Sequence, residues 1–388
     1  MKSCYRGRDI TDDEAFSCDM ERLLCRVPYL RNNRQIDYLM RFRVAAHHGG
    51  QLPAWKFLVE TMMKLGHLRA IFATSTVAAG VNYPARTIVL FNSDLFNGSN
   101  FSPLNSTEFH QMTGRAGRRG RDKIGFMLAV PGRFMDIPHL KKLFFKKPEK
   151  ILSQIRSDFS MILNLLLSQT PADIRAIFEK SLASNQLSKE DRKRGGEEGV
   201  NLWNDCLRHL TFLRAEGFVD DCDRLTESGI WASKLRLDHP LLIAECLKKD
   251  AFPRRDGRLL AAMVAPFVYD GDQDFNLTEE GLPRKMTQAF KRVGRAIRDL
   301  SNRMADAGFA TNKLYLWTSS VIYDWATGKD WDEIVQNRGI ADGDMAMLVL
   351  RTADNLRQIA SLKETHPNIA ELAFKAREAI LREPVVFE

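Results

Sequence analysis

The 388-residue chain has no apolar run long enough to cross a membrane, which takes about 20 residues. Its opening, MKSCYRGRDITDDEAF, is too polar for a secretory signal. The cysteines Cys4, Cys18, Cys25, Cys206, Cys222 and Cys246 are scattered and form no C-x-x-C pair, which points to a reduced, cytoplasmic setting. Two phosphate-handling signatures are missing as well. There is no G-x-x-x-x-G-K-[ST] loop to cradle a triphosphate and no strand-borne acidic motif to hold Mg²⁺. Asp12-Asp13-Glu14-Ala15 follows no apolar strand, and the GLPRKMT run from Gly281 has the wrong glycine spacing. Acidic residues are in deficit, 49 against 57 Lys and Arg, and the resulting net charge of +8 favours a polyanionic partner. With 44% hydrophobic and 27% charged residues, the chain has material for two or three cores.

What is present centres on EFHQMTGRAGRRGRDKIG, Glu108 to Gly125. Gly114, Gly117 and Gly120 recur every third residue and let the backbone turn tightly against a ligand, while Arg115, Arg118, Arg119 and Arg121 add fixed positive charge. Guanidinium groups aimed at a γ-phosphate stabilise charge developing in phosphoryl transfer. In isolation the run reads equally as a basic nucleic-acid arm or localisation patch. Its context decides. Arg69–Thr74, Arg86–Asn92 and Gly125–Val130 are short apolar runs rich in β-formers and read as buried parallel strands. Thr74, Ser75 and Thr76 precede Gly80 in the connection between the first two, where they can donate to phosphates. Upstream, Pro53 opens a helix with Leu58, Val59, Met62 and Met63 on one face, ended by Gly66.

In order and spacing these segments resemble the second RecA-like lobe of the Ski-like superfamily-two RNA helicases, the exosome-associated group. His47–Pro53 with Lys56 and Glu60 is similar to the HHxGLLPxxKxxVE element, Thr74–Arg86 to motif V (TETFAxGVNMPAR), and Gln111–Gly120 to motif VI (QMxGRAGRRG). Ser75 stands where the family has Glu, and Gln51 where it has Leu. The resemblance implies that Gln111, Gly114, Arg115, Arg118, Gly80 and Asn82 face ATP, with Arg115 and Arg118 as arginine fingers. It assigns His47, His48, Gly49 and Thr74 to the backbone of a single-stranded RNA or DNA, and leaves Arg119 and Arg121 to solvent or RNA. Adjacent His47 and His48 have no cysteine nearby and cannot easily converge on one zinc ion. The implied Mg²⁺ would come from the missing first lobe, since the sequence reads as the back half of a helicase, either truncated or completed by a first lobe on a separate chain. A catalytically inactive nucleic-acid-binding scaffold and part of a DNA repair helicase are the alternatives.

Beyond Pro131 the pattern becomes helical. KPEKILSQIRSDFSMILNLLLSQTPADIRAIFEKSL carries apolar residues at helical spacing, with Thr170-Pro171 as a helix start. Polar residues 184–199 read as an exposed connection. Trp203, Leu207, Leu210 and Leu213 then form a stripe ended by Gly217, and GFVDDCDRLTESG suggests a hairpin, a combination that resembles a winged helix. RKMTQAFKRVGRAIRDLSNR is a basic amphipathic helix with Phe290, Val293 and Ile297 inward. The later W-x-x-G-x-x-[FW]-x-E-I pattern (Trp325, Gly328, Trp331, Glu333, Ile334) and the Gly343-Asp344 helix start resemble the DSHCT domain of the same helicases. In its last long helix the resemblance gives Arg351 and Arg357 to nucleic acid, while Met347 and Leu350 read as a core pair. The expected architecture is an α/β RecA-like lobe followed by a winged helix and an all-α bundle. Its divisions are an N-terminal segment over 1–40, a partial lobe over 41–135, connecting helices and winged helix over 136–250, and a helical ratchet over 251–388.

Overall fold

Phe16, Met20, Leu23 and Leu24 fall on one face at helical spacing, and Glu14–Arg26 forms the first helix, α1, with those four side chains buried. The computed structural model describes residues 14–74, 85–96, 100–118, 120, 122–186, 202–237, 239–271, 273–275, 281–311 and 313–387. The chain divides into one unit of Met1–Ile151, Ala341–Asp344 and Glu383–Glu388, and a second of Leu152–Ile340 and Met345–Arg382.

In the first unit, α1 is integral to a packed core, although the N-terminal 40 residues carry no motif. The Arg43 guanidinium lies 3.1 Å from the Phe16 ring centroid, and Asp19 Oδ2 sits 2.8 Å from His67 Nε2. After a 3₁₀ turn at Pro28–Asn32, α2 (Ile36–Phe42) leads through left-handed Arg43 into β1 (Val44–His47). Pro53, without an N–H to lose, starts α3 (Pro53–Lys64), which buries Trp55, Leu58, Val59 and Met62, and Trp55 Nε1 donates to the β1 carbonyl of Ala46 at 2.9 Å. β2 (Ala70–Ala73) lies parallel to β1 in the register Val44 to Ala70.

β3 (Thr87–Leu90), an antiparallel pair β4 (Asp94–Phe96) and β5 (Phe101–Pro103), helix α4 (Ser106–Thr113), β6 (Phe126–Ala129) and helix α5 (Ile137–Phe145) follow. β3 and β6 pair in parallel, Thr87 against Phe126. Leu90, Leu104, Phe109, Leu140 and Leu143 form their core, with Ile88, Met127 and Ala129 packed against it. The strands are parallel as the apolar runs suggest, but they are not buried. Alternation explains this: Ile88, Leu90, Met127 and Ala129 face the helices, whereas Val89, Phe126 and Leu128 point the other way and stay exposed, as does Phe72 on β2. Parallel strands normally have both faces covered. Among the described residues each of these two-stranded sheets is a separate pair.

The second unit is helical. In the segment from Lys147 that carries apolar residues at helical spacing, the first helix of this unit begins only at Phe159. Residues 150–158 adopt no regular element, Ile151 and Leu152 are exposed, and Asp158 caps α6 (Phe159–Leu165) by accepting from Met161 N at 2.7 Å. Thr170 and Asp173 cap α7 (Pro171–Glu179) reciprocally, as the Thr-Pro start foretells. α8 (Leu182–Gln186), α9 (Leu202–Ala215) and α10 (Glu227–Ser233) follow. α9 buries Leu202, Cys206, Leu210 and Leu213, one step round from the predicted stripe, so that Leu207 is exposed. Gly217 takes φ +73° beyond it, and a single antiparallel bridge joins Val219 to Leu225 before α10.

α11 (Pro240–Lys248), α12 (Gly257–Val264), α13 (Arg284–Asp306), α14 (Leu316–Ala326), α15 (Trp331–Arg338), α16 (Asp342–Ala360) and α17 (Pro367–Ile380) complete the chain. Every residue of α12 from Leu259 to Val264 is buried, between α14 and α17. α13 turns Val293 and Ile297 inward with Met286, Ala289 and Leu300, and Phe290 is half-buried at the edge of that face. The Trp-Gly-Trp pattern is structural: Trp325 donates to Ile380 O at 2.8 Å, packs edge-on to Trp331, and carries the Arg382 guanidinium 3.3 Å from its ring centroid. Met347 departs from the expected core pair. It is 54% exposed, and the inward face of α16 is carried by Met345, Ala346, Leu348, Val349 and Thr352.

Candidate nucleotide and nucleic-acid site

The arginine loop is built by a capped helix and by glycines that either leave no room for a Cβ or take a left-handed backbone. Asn105 accepts from Glu108 N at 2.9 Å while Glu108 returns a bond to Asn105 N, also 2.9 Å, and this capping box fixes the start of α4. The helix presents Gln111, which is exposed, and ends at Gly114, where a Cβ would stand 2.6 Å from His110 O. Arg115 O accepts from Ala85 N, and Gly117 N returns a bond to Ala85 O at 2.7 Å, so the loop is stitched to the entry of β3. Gly117 and Gly120 adopt φ +92° and +76°. Gly125, where the chain returns, lies so close that a Cβ would meet Ala116 O at 2.4 Å.

Arg118 is gripped by Asp122. Nε and one terminal nitrogen donate to the two carboxylate oxygens at 2.8 and 2.9 Å, and Arg118 N also donates to Asp122 Oδ2 at 2.9 Å. These bonds hold the Asp122 carboxyl well below the usual carboxylate range and raise Arg118 further above its own. The Asp122 side chain is buried, whereas that of Arg118 is 41% exposed, so the guanidinium is oriented by one edge and open along the other. Arg115 is half-buried. Such a loop fits the phosphate end of a nucleotide, with cations and turned backbone on one side. Among the described residues no group of three or more His, Cys, Asp or Glu could hold a metal ion, and Asp122 is committed to Arg118.

The histidine element sits at the end of β1. His47 is 4% exposed and its Nε2 lies 3.0 Å from Glu60 Oε1 on α3. That contact links the end of β1 to α3. His48 is half-buried, and burial first, then His47 and Lys56, pull its imidazole below the ordinary value. Neutral His48 can hydrogen-bond a phosphate but brings no charge at pH 7. Gln51, the departure from the family's Leu, closes the turn by accepting from His48 N at 3.1 Å. Gly49 is exposed with open space beside it, and within the same unit Gly343 is so close that a Cβ there would meet Gly49 O at 2.1 Å. Thr74, exposed beyond β2, donates its N–H to His47 O at 3.4 Å. Gly80, Asn82, Arg119 and Arg121 lie outside the described residues.

In the second unit, Arg351 pairs with Asp270 at 2.7 Å and Arg357 with Asp354 at 2.6 Å, and both pairs are at least partly exposed. Sequence reasoning missed Asp122, Asp270 and Glu60 as partners of the assigned residues. Asp122, four residues after Arg118, was the one with a readable signal, the helical-turn spacing of an ion pair.

A glycine-arginine loop between a capped helix and a parallel strand pair, and a histidine-glycine turn at the end of a second parallel pair, make up an α/β module of the kind matched by helicase C-terminal domains. The comparisons carry this further. Residues 18–120 match the helicase conserved C-terminal domain and residues 222–388 match the DSHCT (NUC185) domain. The chain is 43% identical over 198 residues to mouse Superkiller complex protein 2, covering 51% of this chain and 15% of that protein. It is 36% identical over 169 residues to the probable helicase HelY of Mycobacterium tuberculosis (43% of this chain, 19% of HelY). It is 29% identical over 240 residues to the antiviral helicase SKI2 of Saccharomyces cerevisiae (60% and 18%). The chain belongs to the Ski-like superfamily-two RNA helicases, and it spans less than a fifth of the length of these three relatives.

Proposed function

We propose that this chain is the C-terminal working part of an ATP-dependent RNA helicase, supplying arginine fingers and single-strand contacts to a cleft completed by a first lobe. The observation that carries the reading is the Gly114–Gly125 loop, which pins Arg115 to β3 through its backbone and orients Arg118 through Asp122. When bound, ATP with Mg²⁺ supplies the phosphoryl group to be hydrolysed. Arg118 neutralises charge at the phosphate end, Arg115 assists from the same loop, and Gln111 on α4 contacts the nucleotide. Motif V from Thr74 through Gly80 and Asn82 couples that end to the RNA backbone, His48 and Gly49 line the backbone track, and His47 holds the track in place. Arg351 and Arg357 add phosphate contacts in the helical domain. The helix, single bridge and helix over 202–233 support a winged helix, and the free cysteines among the described residues support a cytoplasmic setting. The same cationic loop also suits a second reading, a nucleic-acid-binding scaffold.

The two readings separate in one experiment. The purified chain is assayed for ATP hydrolysis alone and with a separately expressed first RecA-like lobe of HelY, with and without RNA. The helicase reading expects no turnover alone, because positioning from both sides of the phosphates supplies most of the catalysis, and RNA-stimulated turnover with the added lobe. Binding of RNA with no turnover in any combination selects the scaffold.

A further inference from the structure

Two phenylalanines at the end of α5, Phe144 and Phe145, are 57% and 76% exposed, far from what side chains of that size accept without a partner. They are not loose. Leu140 and Leu143 anchor the helix in the β3–β6 core, and the residues that follow are tied to α4 by three bonds: His110 Nε2 donates to Lys146 O at 2.7 Å, Ser106 Oγ to Lys147 O at 2.9 Å, and Glu149 N to Thr107 Oγ1 at 2.8 Å. α4 is the helix that carries Gln111 into the arginine loop. The two rings stand edge to face, centroids 5.2 Å apart at 83°, so each keeps an open face.

Around them the charge is predominantly positive. Lys141, Lys142, Lys147 and Lys150 are exposed and, among the described residues, none makes an ion pair; only Lys146 has a carboxylate near, Glu149 at 3.5 Å. Four uncompensated ammonium groups beside two held aromatic rings match a ligand with alternating anionic and flat apolar groups. A second copy of this chain would bring the same positive patch and be repelled.

We infer that Phe144 and Phe145, with Lys141, Lys142 and Lys147, form a stacking platform for a single-stranded nucleic acid, fastened to the motif VI helix and separate from motif V. Bases stack on the rings without sequence readout, and phosphates meet the lysines. This inference rests on the reading of the chain as a single-strand binder, and its tie to α4 gives the strand a lever on the arginine loop.

The test uses the full chain and fluorescent 12-mers of oligoadenylate and oligouridylate. Wild type is expected to prefer oligoadenylate, the better stacker. F144A/F145A should lose roughly fivefold or more in affinity, on the stacking scale of single-strand platforms, and lose that preference while its salt slope stays unchanged. K142S/K147S should instead lower the slope of log K against log salt by about 1.4. Independently of variant folding, 5-iodouridine oligomers should photocrosslink in the wild type to the peptide holding Phe144 and Phe145. No binding by the wild-type chain overturns this inference and the single-strand reading together. Wild-type binding that F144A/F145A leaves intact, with crosslinks elsewhere, overturns the platform alone, as does loss of a protein partner from the variant without change in oligonucleotide affinity.

Discussion

Asp122 holds Arg118 by two parallel side-chain bonds of 2.8 and 2.9 Å, so the guanidinium expected at the γ-phosphate is aimed before any nucleotide arrives. In the presence of a complementary first lobe, Arg118→Ala should cut ATP turnover by roughly three orders of magnitude, the scale of an arginine finger. Asp122→Asn keeps the shape but loses the grip and should lower turnover less. Equal losses, or none, would remove Asp122 from the role of positioning Arg118. The depressed acidity of Asp122 adds a signature. Its folded value lies below the unfolded one, so the pair contributes fully above about pH 4 and fades as the pH falls further. A carboxyl NMR titration should show one aspartate resonance, lost in Asp122→Asn, that titrates well below the ordinary aspartate range.

His48 carries a second pH dependence of opposite origin. Burial, His47 and Lys56 lower its folded value, so the fold favours the neutral ring. Protonation then costs stability as the pH drops below about 6.5, the unfolded value. Thermal melts from pH 7.5 to 5 should fall more steeply in the wild type than in His48→Gln. At pH 7 the same variant should leave the salt slope of RNA binding unchanged, since no cation is lost. A drop in slope at pH 7 would show His48 charged.

The glycine spacing was the most legible part of the site. Gly117 and Gly120 do adopt left-handed backbone, and the loop does close between a helix and a strand. The partners of the arginines were not legible, because Asp270 and Arg351 are 81 positions apart and no local pattern links them. Strand direction was readable from the apolar runs, but burial was not. Phe72, Val89, Phe126 and Leu128 are apolar and still exposed, since the residues that would cover them lie beyond anything a four-residue window encodes. Helix starts with a capping side chain and proline, such as Thr170-Pro171, were placed correctly, whereas α6 began late because residues 150–158 have apolar spacing but no surface to bury it against.

Gly125 offers a steric test of the loop closure. A Cβ there meets Ala116 O at 2.4 Å, while at Gly132 nothing lies within 4 Å. Gly125→Ala should destabilise by about 1–3 kcal/mol, the range of overpacked positions, and Gly132→Ala should stay within about 0.5 kcal/mol. Urea titrations of the two variants measure the difference. Indistinguishable midpoints would mean that the loop closes without the contact between Gly125 and Ala116.

Arg351 provides the last test, because its partner competes with the ligand assigned to it. Asp270 Oδ2 lies 2.7 Å from an Arg351 nitrogen, and the two side chains are 57% and 32% exposed. A pair this open to solvent is worth no more than about 1 kcal/mol, so phosphate can displace the carboxylate at little cost. Asp270→Asn should therefore leave stability nearly unchanged and strengthen single-strand binding by roughly two- to fivefold. The gain must run through Arg351. In Arg351→Ala, which should bind more weakly than wild type, adding Asp270→Asn should bring no further change, a coupling that a double-mutant cycle isolates. If Asp270→Asn strengthens binding equally in both backgrounds, the effect is one of net charge, and Arg351 has no special contact with the strand.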